Sequence, residues 1–194
     1  MDHLRVFVAL SVPEEIKDSI EKTQTALKRA LPDKAARWTR RQQFHLTLRF
    51  LGNVAASSVK ELIESMHGVC RNFAPLQLQA AGLGFFPDKR FPRVFWAGIN
   101  DEVNQLEPLW RAIQTATQPF TTEKPENAFV GHVTLARFNR LRRPEADSLL
   151  SAAGKLENMS FGKWTAEQLE LMRSELSSQG ARHTLLASLP LAGK

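Results

Sequence analysis

A pattern of His, an apolar residue, Thr and Leu, trailed by Arg, occurs twice in this chain. The first copy is His45-Leu46-Thr47-Leu48-Arg49 and the second is His132-Val133-Thr134-Leu135-Ala136-Arg137. They stand almost half of the 194-residue length apart. Strand periodicity sends alternate residues to opposite faces. In the first copy Leu46, Leu48 and Phe50 form one apolar face, and His45, Thr47 and Arg49 form the other. In the second, Val133 and Leu135 oppose His132, Thr134 and Ala136. Arg137 has the wrong parity for the His132 face and reaches it only if the strand ends or bulges there. The fold must therefore present two similar strands, each with a buried face and a His/Thr face.

The rest of the pattern supplies partners for those strands. Residues 4–10 read as a buried strand, and residues 44–51 as the first motif strand, broken by Gly52-Asn53. Ile16, Ile20, Ala26, Leu27 and Leu31 mark a helix ended by Pro32, and Val59, Leu62, Met66, Val69 and Cys70 mark a second. Ser11/Glu14, Ser58/Glu61 and Asn104/Glu107 have capping-box spacing. Residues 76–86 and 93–99 predict a hairpin, residues 106–117 a third helix, residues 129–138 the second motif strand and residues 144–153 a short helix. Residues 169–176 and 183–189 predict two closing strands around a turn at 177–180. Strands and helices mix without strict alternation, which argues α+β with antiparallel sheets. The two halves share a strand, helix, motif-strand layout, consistent with an internal duplication. Residues 1–194 read as one domain of two similar lobes.

Histidine both accepts and donates a proton near neutral pH. Two histidines, one neutral and one protonated, can take a proton from an attacking oxygen and give one to a departing oxygen. Thr47 and Thr134, on the same faces, can donate to phosphate oxygens. A zinc site is the competing chemistry. It needs a third ligand, and neither motif holds Asp, Glu or Cys. Neither metal nor cofactor is therefore expected. His67 reads as a surface residue and His3 lies near the terminus, while the face of His183 is not fixed by the pattern. Arg37, Arg40, Arg41 and Arg49 cluster near the first motif, and Arg137, Arg140, Arg142 and Arg143 near the second. Such clusters form either solvated loops or a funnel for a phosphate backbone. Arg142 and Arg143 read as solvated loop, and the others are left open.

Composition narrows the setting. Hydrophobic residues make up 43% of the chain, enough for a packed core, and the net charge of +6 favours an anionic partner. A single cysteine, Cys70, excludes an internal disulfide and suits the cytoplasm. It falls on the apolar stripe of its helix and reads as a core thiol. No window reaches the roughly 18 apolar residues of a membrane span.

The doubled His-x-Thr-x motif resembles that of the 2H phosphoesterases. Further stretches are similar to the RNA 2′,3′-cyclic phosphodiesterases, also called 2′-5′ RNA ligases: residues 5–10, 45–52, 86–87, 92–96 and 132–137, and the Leu-x-x-Ser at 171–174. The resemblance implies a bilobal α+β fold with pseudo-twofold symmetry. Two antiparallel sheets line a central cleft, with helices outside. It implies that His45 and His132 are the catalytic pair, that Thr47, Thr134 and Arg137 bind the phosphate, and that Arg49 does so less securely. The partner it implies is RNA with a 2′,3′-cyclic phosphate end, acted on by a monomer without a metal. A non-catalytic RNA-binding module of the same fold, or a phosphodiesterase for a small cyclic nucleotide, are the alternatives. Two positions depart from the family pattern. Gly131 stands where Pro is common, which frees the backbone before the second motif, and His183 stands where Tyr is frequent.

Overall fold

The computed structural model describes residues 2–32, 34–139, 141–156, 158–177 and 180–193. Arg140 and the tip of the 177–180 turn lie outside these residues. The strands are β1 (His3–Ser11), β2 (Arg37–Trp38), β3 (His45–Ala55), β4 (Leu76–Phe86), β5 (Val94–Asp101), β6 (His132–Arg137), β7 (Ser160–Ala166), β8 (Gln168–Ser177) and β9 (Gly180–Pro190). The helices are α1 (Glu14–Lys28), α2 (Val59–Cys70), α3 (Leu106–Thr117) and α4 (Arg143–Gly154). Among the described residues no helix is long and apolar enough to cross a membrane.

Eight strands run in the order β7-β4-β5-β6-β3-β1-β8-β9, with β2 added to β6. Every pairing is antiparallel. The two motif strands stand at the centre of this order, with three further strands on each side. They touch at a single described pair, Leu46 opposite Val133. The molecule is thus two four-stranded sheets hinged at the two motifs, which is the pseudo-twofold arrangement expected. Helices cover the outer faces crosswise. α1 lies on β7 beside α4, whereas α2 and α3 lie together over β9, β8 and β3. Each of α1 and α3 therefore leaves the strand before it and packs on the other sheet, tying the lobes together. Gln24 of α1 makes the tie explicit by donating to the β6 carbonyl of Leu135 at 2.9 Å.

The core follows the apolar stripes. Val6, Val8, Leu46, Leu48, Val133 and Leu135 are buried against helix residues such as Ile20, Leu62, Met66 and Ile113. Cys70 is in this core, and burial raises its thiol to about 11.

Four local expectations change. β7 is not legible in the sequence as a strand, because Gly162 at φ +131° interrupts its alternation. That glycine lets α1 come close, since a Cβ there would sit 2.4 Å from Ile16 Cδ1. Gly52 does not end the first motif strand. At φ +63° it makes a bulge, and β3 runs on to Ala55. None of the three capping boxes forms its side-chain bond. Ser11 is still in β1, opposite His45, and α3 is capped instead by Asp101, whose carboxylate accepts the Leu106 N–H at 2.6 Å. In α1 Thr23 and Gln24, not Ala26, are buried beside Ile16, Ile20 and Leu27, and Gln24 donates to the Thr39 carbonyl at 2.8 Å.

Candidate active site

The two motif strands share more than their residue order. In the β1–β3 ladder Val8 faces Arg49 and Ala9 faces Thr47, so Leu48 has no opposite residue. In the β5–β6 ladder Phe95 faces Ala136 and Trp96 faces Thr134, so Leu135 has none. Each strand carries a bulge at the third residue past its histidine. A bulge puts two successive residues on one face. Leu48 and Arg49 are accordingly both buried, as are Leu135 and Ala136. The residue after each pair returns to the histidine face: Phe50 in β3 and Arg137 in β6.

The bulge meets the condition set for Arg137 and corrects the expectation for Arg49. Arg137 lines the cleft. Arg49 does not: it points into the helix layer, 1% exposed. Its guanidinium donates to Gln114 Oε1, to the Lys124 and Glu123 carbonyls at 3.1 and 3.0 Å, and to Gln118 Oε1 at 3.2 Å. It clamps the segment leading from α3 toward β6. The structural counterpart of Arg137 is Phe50, over which the Arg5 guanidinium stacks at 4.6 Å.

Between the sheets lies a cleft of about 810 Å³ into which His45, Thr47, His132 and Thr134 all project. Their strands run antiparallel about the Leu46–Val133 pair, so each histidine neighbours the other strand's threonine. Both imidazoles are oriented alike. His45 Nδ1 lies 2.7 Å from the Gln43 carbonyl, and His132 Nδ1 lies 2.8 Å from the Val130 carbonyl. A carbonyl only accepts, so each Nδ1 carries the proton and each Nε2 faces the cleft with its lone pair. Gln43 does a second task, because its side-chain amide donates to the Ala181 carbonyl and fastens the β8–β9 hairpin beside His45.

Aromatic rings brace both histidines. His45 lies against Phe7 (4.9 Å between centroids) and His183 (5.4 Å), and His132 against Phe86 (5.0 Å) and Trp96 (6.1 Å). Gly84 admits the Trp96 ring: a Cβ there would be 2.1 Å from it. Gly131 does not loosen the approach to His132. Its carbonyl accepts from Ile99 N–H at 2.8 Å, and a Cβ would stand 2.7 Å from the Ile99 carbonyl oxygen. The lack of a side chain allows close contact here, not mobility.

Burial dominates the electrostatics. It lowers His45 to about 4, helped by the positive charges that His183 and His132 can carry. Burial also lowers His132, with the Arg137 charge acting in the same direction. His183 is lowered by burial, and its Nδ1 is buried without a hydrogen-bond partner. A measurable consequence follows for stability. The unfolded histidine titrates near 6.5, so below that pH the unfolded chain takes up a proton that folded His45 refuses. Stability is level above about pH 7 and falls as the pH drops from 6.5 toward 4. By pH 5 the loss from His45 alone is about 2 kcal/mol. Urea unfolding at pH 7.5 and pH 5 measures it, and His45→Gln, neutral at both, should shrink the difference by about that amount. An unchanged midpoint in the native chain would contradict the burial argument.

Several cleft residues carry no signal in the motif. Phe7, Gln43, Phe50 and Arg5 are ordinary strand or loop residues until the tertiary fold brings them in, and His183 gains its place only from the β8–β9 pairing opposite Ser174. Of the arginine clusters, Arg37 and Arg40 line the cleft beside Arg137. Arg41 does not, being paired with Glu14 and Asp18 of α1. Arg142 pairs with Glu145 at the start of α4. Among the described residues no three His, Cys, Asp or Glu side chains converge as a metal site requires.

Known proteins are similar to this chain in sequence and fold. The family profile described as "LigT like Phosphoesterase" matches residues 10–96. The RNA 2′,3′-cyclic phosphodiesterase of Aquifex aeolicus is 28% identical over 195 residues, covering all of both chains. That of Thermotoga maritima is 31% identical over 135 residues, 69% of this chain and 70% of its own. The crystal structure of TT0787 of Thermus thermophilus superposes with a TM-score of 0.80 at 26% identity, over 98% of this chain and 100% of that one. With both His-x-Thr strands facing one cleft in that shared fold, the chain belongs to the 2H phosphoesterases, in the family of the LigT-like RNA 2′,3′-cyclic phosphodiesterases.

Proposed function

We propose that this chain hydrolyses 2′,3′-cyclic phosphate ends of RNA to 2′-phosphomonoesters by acid–base chemistry between His45 and His132, without a metal. The observation that carries the reading is the matched orientation of the two imidazoles. Each is held by the carbonyl two residues before it and presents Nε2 to one cleft, with a threonine beside it. One Nε2 takes a proton from water as the water oxygen bonds to phosphorus. The P–O3′ bond breaks, and the other imidazole, protonated, gives its proton to O3′. Thr47, Thr134 and Arg137 donate to the non-bridging oxygens, where charge grows in the transition state. Burial keeps the free imidazoles neutral, and the anionic phosphate raises the one that must act as acid. With a 5′-hydroxyl in place of water, the same groups run the same displacement, breaking P–O3′ and forming a 2′-5′ linkage. Both imidazoles come from one chain, so the reading needs no second copy.

The test is incubation with 2′,3′-cyclic nucleotides, and with an oligoribonucleotide bearing a cyclic end, in excess EDTA. The expected product is the 2′-monophosphate, and kcat/KM should follow a bell-shaped pH profile. A 3′-monophosphate product would overturn the proposal. So would loss of turnover on adding EDTA, or binding without turnover, which would indicate a nucleotide-binding module.

A further inference from the structure

A second cavity, also about 810 Å³, lies outside the cleft between the β4–β5 loop and α4. Arg90, Phe91 and Arg93 line it from the loop, and Arg143, Asp147 and Leu150 from α4. Its chemistry is unlike that of the catalytic cleft: it has no histidine, its floor is apolar and cations surround it. Asp147 is a lone carboxylate among the residues that line it. Phe91 is 72% exposed at the loop tip. A single exposed ring is ordinary. A ring beside a cation-lined groove is what single-stranded nucleic acid needs, since bases stack on aromatics while phosphates follow the positive charge.

Position supplies the second argument. Arg137 of β6 is in the catalytic cleft, and Asn139 is in this groove. Phe138, between them, is buried. Two residues of extended chain span about 7 Å, so the groove begins where the cleft ends. The junction is fixed by backbone: Phe138 N–H donates to the Arg93 carbonyl at 2.8 Å, and the Arg93 guanidinium donates to the Asn139 carbonyl at 3.4 Å. This is also the basic end of the cleft, where Arg37 of β2 stands opposite Arg137 in the ladder. An adjoining pocket that shares Arg5, His132 and Arg137 with the cleft adds Glu126 and the apolar Phe129 and Val130. A polyanion with its cyclic terminus between the histidines is drawn out over Arg137 toward the groove.

We infer that the β4–β5/α4 groove is a subsite for the RNA nucleotides upstream of the reacting end, with Phe91 stacking a base and Arg90 and Arg143 contacting backbone phosphates. The inference rests on the function proposed above. It makes the enzyme selective for oligonucleotides over mononucleotides, through a surface that takes no part in the chemistry.

The experiment compares wild type with the double variant Arg90→Gln/Phe91→Ala, both exposed loop positions. The substrates are a 2′,3′-cyclic mononucleotide and a hexaribonucleotide with a 2′,3′-cyclic end. The variant should turn over the mononucleotide as wild type does. Its kcat/KM on the hexamer should fall about 10-fold, carried by KM, and the slope of log KM against log salt should become shallower by about 0.7 for the lost phosphate contact. Equal kcat/KM for the hexamer in both proteins overturns the subsite, and so does an equal loss on both substrates. If wild type turns over neither substrate, the proposed function fails, yet the groove is still read by fluorescence anisotropy of the 5′-labelled hexamer. There about 10-fold weaker binding by the variant supports the subsite, and unchanged binding overturns it.

Discussion

His45→Ala and His132→Ala should each lower kcat/KM on a 2′,3′-cyclic nucleotide by about 10³-fold, inside the 10²–10⁴ that one positioned proton donor or acceptor typically contributes. The two rings act in one step, one taking a proton while the other gives one. Removing the second after the first should therefore cost little more, and the double variant should resemble either single one. Neither loss should come from unfolding. Each ring is a half-buried wall of the cleft, and the strands that carry it are fixed by Leu46 and Val133, both fully buried. Far-ultraviolet circular dichroism and the urea midpoint at pH 7.5 serve as controls. Anisotropy with a labelled RNA should show nucleotide binding retained within a few fold, separating lost chemistry from lost affinity. Turnover above a tenth of wild type in either single variant would remove that histidine from the mechanism.

The second prediction contrasts the two arginines that trail the motifs. Arg49→Met should destabilise the fold by about 3–5 kcal/mol, because it removes one side of a buried charged network and leaves its acceptors without donors. Gln114, Gln118 and the carbonyls of Glu123 and Lys124 all lose a bond, and the segment before β6 loses its clamp. Burial already lowers the Arg49 guanidinium from its ordinary value, which reflects the cost of keeping that charge inside. Arg137→Met should do the reverse. The residue is exposed, so stability should move by no more than about 0.5 kcal/mol. Its kcat/KM should drop about 10²-fold, as for the loss of one donor aimed at developing charge. Urea unfolding and steady-state kinetics on the two proteins decide it. A stable but inactive Arg49→Met, paired with an active Arg137→Met, would mean that the bulges at Leu48 and Leu135 are misplaced.

This contrast shows where reading the chain by parity fails. Strict alternation puts Arg49 on the His45 face and Arg137 on the wrong one. Each bulge inserts one residue and shifts every later side chain to the other face. No residue in Thr-Leu-Arg or Thr-Leu-Ala announces a bulge. It is set by the pairing with β1 and β5, whose residues are distant in sequence. The same holds for capping. Ser11 has the right spacing to cap α1, but β1 keeps it for the ladder with His45, and local preference yields to sheet pairing. β7 escapes a sequence reading for a related reason, because Gly162 is there to receive Ile16 of α1, a demand visible only when both elements are in place.

The sequence by itself determined the two apolar strand faces, the α+β class, and the pair of His-x-Thr segments that must meet. These are local facts, since a period of two and the chemistry of imidazole and hydroxyl need no partner to be read. The tertiary structure decided which neighbours join them. It brought Phe7, Gln43 and His183 to His45, and Phe86 and Trp96 to His132. It turned Arg137 into the cleft and buried Arg49 behind it. The reason is physical. A side chain's face is a property of its own strand, whereas register, bulges and burial are properties of pairs of strands, and a linear pattern does not contain the pairing.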